Sequence, residues 1–388
     1  LQTYIEDPSV FRKFLLPSKL ADTLIVYLLE RLPEFYDELE HDSSSSCTSR
    51  LILHQLRWLD YIVQPELLTE KLMEASFQLT LCPIVVYLKE LMSENTDLMV
   101  PVLDALSNLT IHSEGLEDVR ETVLERLVSV ELDALPVIVK FLLQTVTPQT
   151  VDWVVLEIRQ KLDFKQLGKI QEQSTQSKEK AVKDTPEALI LESIKTGLQF
   201  HRFVCDSWLK SIVALHSQRE HKLIDMLVLI ILCSMTSMKK KVENIIKKKI
   251  VQGKLTASLF EQTILYHSDG ISGYWNTLLT LAESLLRSCQ QNNSISSCAA
   301  ALYLSLFQSA DAYYRQEIIG ALVTHIGSGI EAEINTALDV LLKLVQMNAS
   351  NVIGYSVFIK GILEYLDNLN EHQIRTLFDI FSLLALTV

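Results

Sequence analysis

The stretch EINTALDVLLKLV, residues 333–345, sets Ile334, Ala337, Leu338, Leu341, Leu342 and Val345 at i, i+3, i+4, i+7, i+8 and i+11. On a strand that spacing would scatter them over both faces. On an α-helix it gathers them into one stripe, so it predicts an amphipathic helix with a single buried side. The pattern returns after Asn370, a residue type that caps helix starts, with Ile374, Leu377, Phe378, Phe381 and Ala385. Upstream, Thr147 and Pro148 supply a cap and a first-turn residue for a helix carrying Val151, Val154, Val155 and Ile158. Such segments follow one another with short Pro, Gly, Ser or Asn punctuation, and each needs neighbours to cover its stripe. The expected fold class is all-α, an irregular HEAT- or armadillo-like α-solenoid of stacked antiparallel helix pairs. No strict repeat consensus is present, and the tetratricopeptide and ankyrin signatures are absent.

Composition agrees with a packed helical chain. Of 388 residues, 48% are hydrophobic and 21% charged, with only 11 Gly and 9 Pro, which excludes disorder as the overall character. No stretch approaches the roughly eighteen uninterrupted apolar residues of a membrane helix, so no membrane association is expected. The six cysteines (47, 82, 205, 233, 289 and 298) lack C-x-x-C spacing, which argues against a zinc module or a disulfide framework and for a reducing compartment. The chain opens on Leu1 without a signal or transit segment, as a fragment of a longer protein would.

The net charge of −13 is unevenly spread. Residues 1–170 hold 15 Lys and Arg against 27 Asp and Glu, whereas 171–388 hold 20 against 21. Between them QEQSTQSKEKAVKDTPE (171–187) is polar throughout and predicts a linker. It would divide an acidic N-terminal solenoid segment, 1–170, from a second helical segment, 188–388. The run DSSSSCTS (42–49) predicts a loop.

Signatures of catalysis are missing: there is no H-E-x-x-H, G-x-S-x-G or G-x-G-x-x-G, and Gly253-Lys254 lacks the earlier glycine of a phosphate-binding loop. The chain is therefore expected not to be an enzyme and to use no cofactor. His201 and Cys205, four apart, could share a helix face but supply only two ligands, short of a metal site. Glu38, Glu40, Glu331 and Glu333 are expected on solvated faces, Trp58, Trp153, Trp208 and Trp275 in the core, and Cys82, Cys233 and Cys298 buried and inert. The sharpest charged feature is KKKVENIIKKK (239–249), in a window, 200–255, with 11 basic and 4 acidic side chains. On a helix Val242, Ile245, Ile246 and Ile250 would face inward. Lys239, Lys240, Lys241, Lys247, Lys248 and Lys249 would then project outward, solvated or in contact with phosphates.

At VPVLDALSNL (100–109), LPVIVKFLL (135–143), EIIGALVTHIGSGIEAEINTALDVLLKLV (317–345) and VFIKGILEYLDNLNEHQIRTLF (357–378) the chain resembles the Fanconi anaemia group D2 family. The likeness runs in order through nearly the whole chain and covers the N-terminal third or so of the family's length. It implies a nuclear, non-catalytic α-solenoid that pairs with the Fanconi anaemia group I protein. In that family the pair closes around double-stranded DNA without sequence preference, as a clamp in interstrand crosslink repair, and is locked by monoubiquitylation. The lysine run would then face DNA phosphates, the partner protein or water. A generic solenoid adaptor for protein segments, with no DNA role, is the alternative.

The resemblance also exposes a departure. The family's ubiquitin-acceptor lysine lies on the helix before EIIGALVTHI, which here reads ALYLSLFQSADAYYRQ (301–316). In register the acceptor position is Gln308, and Leu304, one turn earlier, matches a second basic position. No lysine occurs from 255 to 342, so no neighbour in sequence replaces it. Glutamine has no amine to form an isopeptide bond.

Overall fold

The computed structural model describes residues 89, 92, 99–107, 116–127, 130, 133–162 and 186–387, and no strand occurs among them. The loop expected at 42–49, the polar stretch 171–185, Glu38, Glu40, Trp58, Cys47 and Cys82 lie outside the described residues. The helices are α1 (Met99–Ser107), α2 (Glu117–Arg126), α3 (Leu135–Gln144), α4 (Val151–Lys161), α5 (Pro186–Phe200), α6 (Arg202–Ala214), α7 (Leu223–Ser234) and α8 (Lys239–Val251). They continue as α9 (Ala257–Tyr266), α10 (Trp275–Leu286), α11 (Asn293–Ser309), α12 (Ala312–Ile326), α13 (Glu331–Val352), α14 (Ser356–Lys360) and α15 (Glu371–Ala385). The chain forms two compact units, Leu1–Lys161 with Thr196–Val204, and Leu162–Lys195 with Cys205–Val388. Pro186 and Glu187, at the end of the polar stretch, already belong to α5.

In the first unit α1 packs on α3, and α4 on both α2 and α3. Before α4, Thr147 and Thr150 cap reciprocally, each backbone N–H donating to the other's hydroxyl at 3.2 Å. Val151, Val154, Val155 and Ile158 are all buried, as their spacing requires. Trp153 is not core: it lies 42% exposed on the opposite side of α4.

In the second unit contacts skip along alternate helices. α7, α9, α11, α13 and α15 pack in one row, α8, α10, α12 and α14 in another, and the rows face each other through α7–α8, α10–α11 and α12–α13. Consecutive helices joined by links as short as Ala310–Asp311 run antiparallel. This two-row stacking is the solenoid expected from the stripes. α7 reads LIDMLVLIILCS and is buried all round from Leu223 to Cys233, as a helix enclosed by α8, α9 and α10 must be. Its Asp225 accepts from the Lys222 backbone N–H at 2.8 Å.

Two faces differ from expectation. In α15 the cap is Asn370, whose Oδ1 accepts from the Gln373 backbone N–H at 2.9 Å. The buried stripe is Gln373, Leu377, Ile380 and Leu384, while Phe378 is 58% exposed and Ala385 is exposed. Gln373 is drawn inward by its bond to Asn335 Oδ1 (2.8 Å), which turns the helix away from the stripe hydropathy suggests. At the start of α13, Glu333 is buried rather than solvated, because His325 Nδ1 stands 3.0 Å from its carboxylate.

Candidate functional site

The lysine run, 239–249, makes up α8 except for its last two residues, Ile250 and Val251. No side chain caps its N-terminus and no acid stands in its first turn, which instead holds Lys239, Lys240 and Lys241. Three ammonium groups at the positive end of the helix dipole cost helix stability and concentrate positive potential there. At the other end Gly253 takes a left-handed backbone (φ 69°), and its N–H donates to the Ile250 carbonyl at 2.9 Å.

At about 100° per residue, Lys240, Lys247, Asn244, Lys248 and Lys241 fall within a face about 120° wide. Lys240, Lys241 and Lys248 are exposed, and Lys239 and Lys247 half-buried. Val242, Ile246 and Ile250 are buried on the other side, and Ile245 is half-buried. Lys241 pairs with Asp206 at 2.9 Å across side chains more than half exposed, a contact worth little and readily exchanged for another anion.

Lys249 does not join the outward set. It follows Val242 by seven residues, so helical geometry places it on the inner face, 3% exposed. Its Nζ donates to the Leu215 carbonyl (3.2 Å) and to His221 Nε2 (3.3 Å), while His221 Nδ1 donates to the Ser217 carbonyl (2.9 Å). An ammonium only donates, so this arrangement fixes the neutral Nδ1–H tautomer of His221. Lys249 thus pins the segment 215–222 against the end of α8. Arg219 and Lys222 on that segment are exposed, and attention to the run alone passes over them.

Gln308 lies exposed at the end of α11, and Leu304 is half-buried one turn earlier. The Arg315 guanidinium closes the end of the helix, donating from Nε to the Phe307 carbonyl (2.9 Å) and from Nη2 to the Gln308 carbonyl (3.3 Å). Gln308 Nε2 meets Met347 Sδ on α13 at 3.8 Å. There α13 is broken: Asn348 has φ −158° and ψ 77°, and its Oδ1 accepts from the Asn351 backbone N–H at 3.1 Å, capping the turn that resumes. The break opens a cleft of about 210 Å³ bordered by Phe307, Gln308, Arg315, Leu344, Met347 and Asn348, among others.

His201 Nε2 bonds the Gln144 carbonyl at 3.0 Å, and Cys205 is buried. Among the described residues no group of three or more His, Cys, Asp or Glu is placed to hold a metal ion, and no helix is long and apolar enough to cross a membrane.

The protein family described as "Fanconi anaemia protein FancD2 nuclease" matches residues 3–388. The chain belongs to this family. It is 35% identical to the Fanconi anemia group D2 protein homologs of Mus musculus and Rattus norvegicus, over 94% of this chain and 27% of each relative. It is 30% identical to the Fanconi anemia group D2 protein of Gallus gallus, over 99% of this chain and 31% of that protein. The chain therefore spans less than a third of the length of these group D2 relatives.

Proposed function

We propose that this chain is a non-catalytic scaffold segment of a DNA clamp in the Fanconi anaemia pathway of interstrand crosslink repair. It acts in the nucleus, pairs with the Fanconi anaemia group I protein, and is regulated by ubiquitin and its conjugating enzymes. The observation that carries the DNA reading is the face of α8 bearing Lys240, Lys241, Lys247 and Lys248. Its lysines repeat at seven-residue intervals, about 10 Å along the axis, over an apolar side that fixes the helix in the second unit. A row of ammonium groups on a fixed helix, without a base-reading fork, suits phosphates of any sequence. Family membership, not the site, supports the pathway.

The test is binding of the full-length protein, with its group I partner, to unrelated DNA duplexes. Replacing Lys240, Lys241, Lys247 and Lys248 by Gln is expected to weaken binding to every sequence alike. Unchanged binding would favour a protein-binding adaptor. The word nuclease in the family description makes strand cleavage the catalytic competitor, and cleavage of those duplexes with added magnesium or manganese would overturn the non-catalytic part.

A further inference from the structure

We propose that Asp206 is a built-in stand-in for phosphate, displaced from Lys241 when DNA docks, and that the docking face of α8 continues onto Lys210 of α6. The proposal deepens the DNA reading above and rests on it. From Cys205 onward α6 belongs to the second unit, with α8. Two contacts fix the alignment of these helices. Lys241 Nζ donates to Asp206 Oδ1 at 2.9 Å across 35 residues of chain. Lys249 Nζ donates to the Leu215 carbonyl, just past the end of α6, at 3.2 Å across 34 residues. Near-equal offsets at the two ends of α8 mean that the helices lie side by side and run in the same direction. Lys210 follows Asp206 by four residues and shares its face of α6. It is therefore level with Asn244 and Ile245, between Lys241 and Lys248.

The charges around this face leave it a single anion. Lys210, Lys240, Lys241 and Lys248 are all exposed. Among the described residues Asp206 is the one acid in an ion pair with the outward lysines of α8. Glu243, the acid of α8 itself, is directed toward α10, where it accepts from the Ser284 hydroxyl at 3.2 Å. Glu220 is engaged within its own turn, accepting from the His216 backbone N–H and the Ser217 hydroxyl, each at 2.9 Å. A carboxylate and a phosphodiester both offer an anionic oxygen to an ammonium, so Asp206 holds Lys241 as a phosphate oxygen would. The two side chains are 51% and 57% exposed, so exchanging one anion for the other costs little desolvation. Asp206 therefore competes with DNA for Lys241 and lowers the affinity by the worth of the pair. Lys210, alongside on α6, gives the docked backbone a second helix to rest on.

The experiment measures duplex DNA binding by the full-length protein with its group I partner, over a range of salt concentrations. Unaltered protein is compared with Asp206→Asn, Lys241→Gln, the two combined, and Lys210→Gln. Glu261→Gln serves as the charge control, because Glu261 is exposed on α9, in the other row of helices. Asp206→Asn is expected to bind about two- to fivefold tighter, the worth of an exposed ion pair, with its thermal melt unchanged. The gain should vanish in the Lys241→Gln background and be absent in Glu261→Gln. Lys210→Gln should make the slope of log Kd against log salt shallower by about 0.9, one phosphate contact. Unchanged or weaker binding by Asp206→Asn, a gain that survives without Lys241, or an equal gain from Glu261→Gln overturns the role of Asp206. An unchanged slope in Lys210→Gln overturns the extension onto α6. Both failures leave the DNA reading standing if replacing the four lysines of α8 still weakens binding. If that replacement changes nothing, the proposal falls together with the reading it rests on.

Discussion

His325 Nδ1 lies 3.0 Å from Glu333 Oε2, and both side chains are buried where α12 gives way to α13. The pair ties the last turn of one helix to the first turn of the next across the Gly327–Ile330 connection. Removing the carboxylate in Glu333→Ala would leave a buried imidazole donor without its acceptor, at a cost of about 1–3 kcal/mol. Chemical denaturation should show a lower midpoint for Glu333→Ala and a smaller loss for Glu333→Gln, which keeps an acceptor oxygen. An unchanged midpoint in the alanine form would mean the contact adds nothing.

Two helical glycines should respond with opposite sign to alanine. A Cβ at Gly197 would stand 2.5 Å from Leu143 Cβ, whereas at Gly320 it would meet nothing within 4 Å. Gly197→Ala is expected to cost about 1–3 kcal/mol by overpacking α5 against α3. Gly320→Ala is expected to gain about 0.5–1 kcal/mol by restricting the unfolded chain inside α12. Thermal melts of the two single variants check both, and equal shifts would contradict the packing.

Burial pushes the Cys233 and Cys298 thiols up to about 12 from an ordinary 9.0, with Glu243 adding to the shift at Cys233. In the unfolded chain they ionise at the ordinary value. Between the two values the folded state holds the extra protons, so stability falls as pH rises from about 9 toward 12. Alkylation at about pH 8 should spare both thiols in the native protein and reach them in urea. The Cys233→Ala, Cys298→Ala form should lose part of the alkaline fall in the denaturation midpoint. Rapid native labelling would contradict their burial.

The fold was legible because stripes such as Ile334, Ala337, Leu338 and Leu341 need only the helical period to be read, and the structure buries all four. What eluded the sequence depends on tertiary partners. Gln373 enters the core because Asn335 receives it, and Glu333 because His325 does. Lys249 was legible in principle, since it shares the inner face with Val242. Its residue type argued outward, and the Leu215 carbonyl and His221 ring that accept from it are 34 and 28 residues away. The neighbourhood of Gln308 was the least legible. Met347 is 39 residues distant, and the break at Asn348 that shapes the cleft leaves no mark in the hydropathy of α13.

The central claim is that the face of α8 contacts DNA phosphates, and the slope of log Kd against log salt concentration tests it most directly. Each phosphate contact contributes about 0.9 to that slope on double-stranded DNA. With Lys240, Lys241, Lys247 and Lys248 replaced by Gln, the full-length protein with its group I partner should bind duplex DNA with a slope shallower by about two to four. The loss should be the same on unrelated sequences. An unchanged slope in that variant, with its fold intact, would contradict the account and place any DNA contact elsewhere on the molecule.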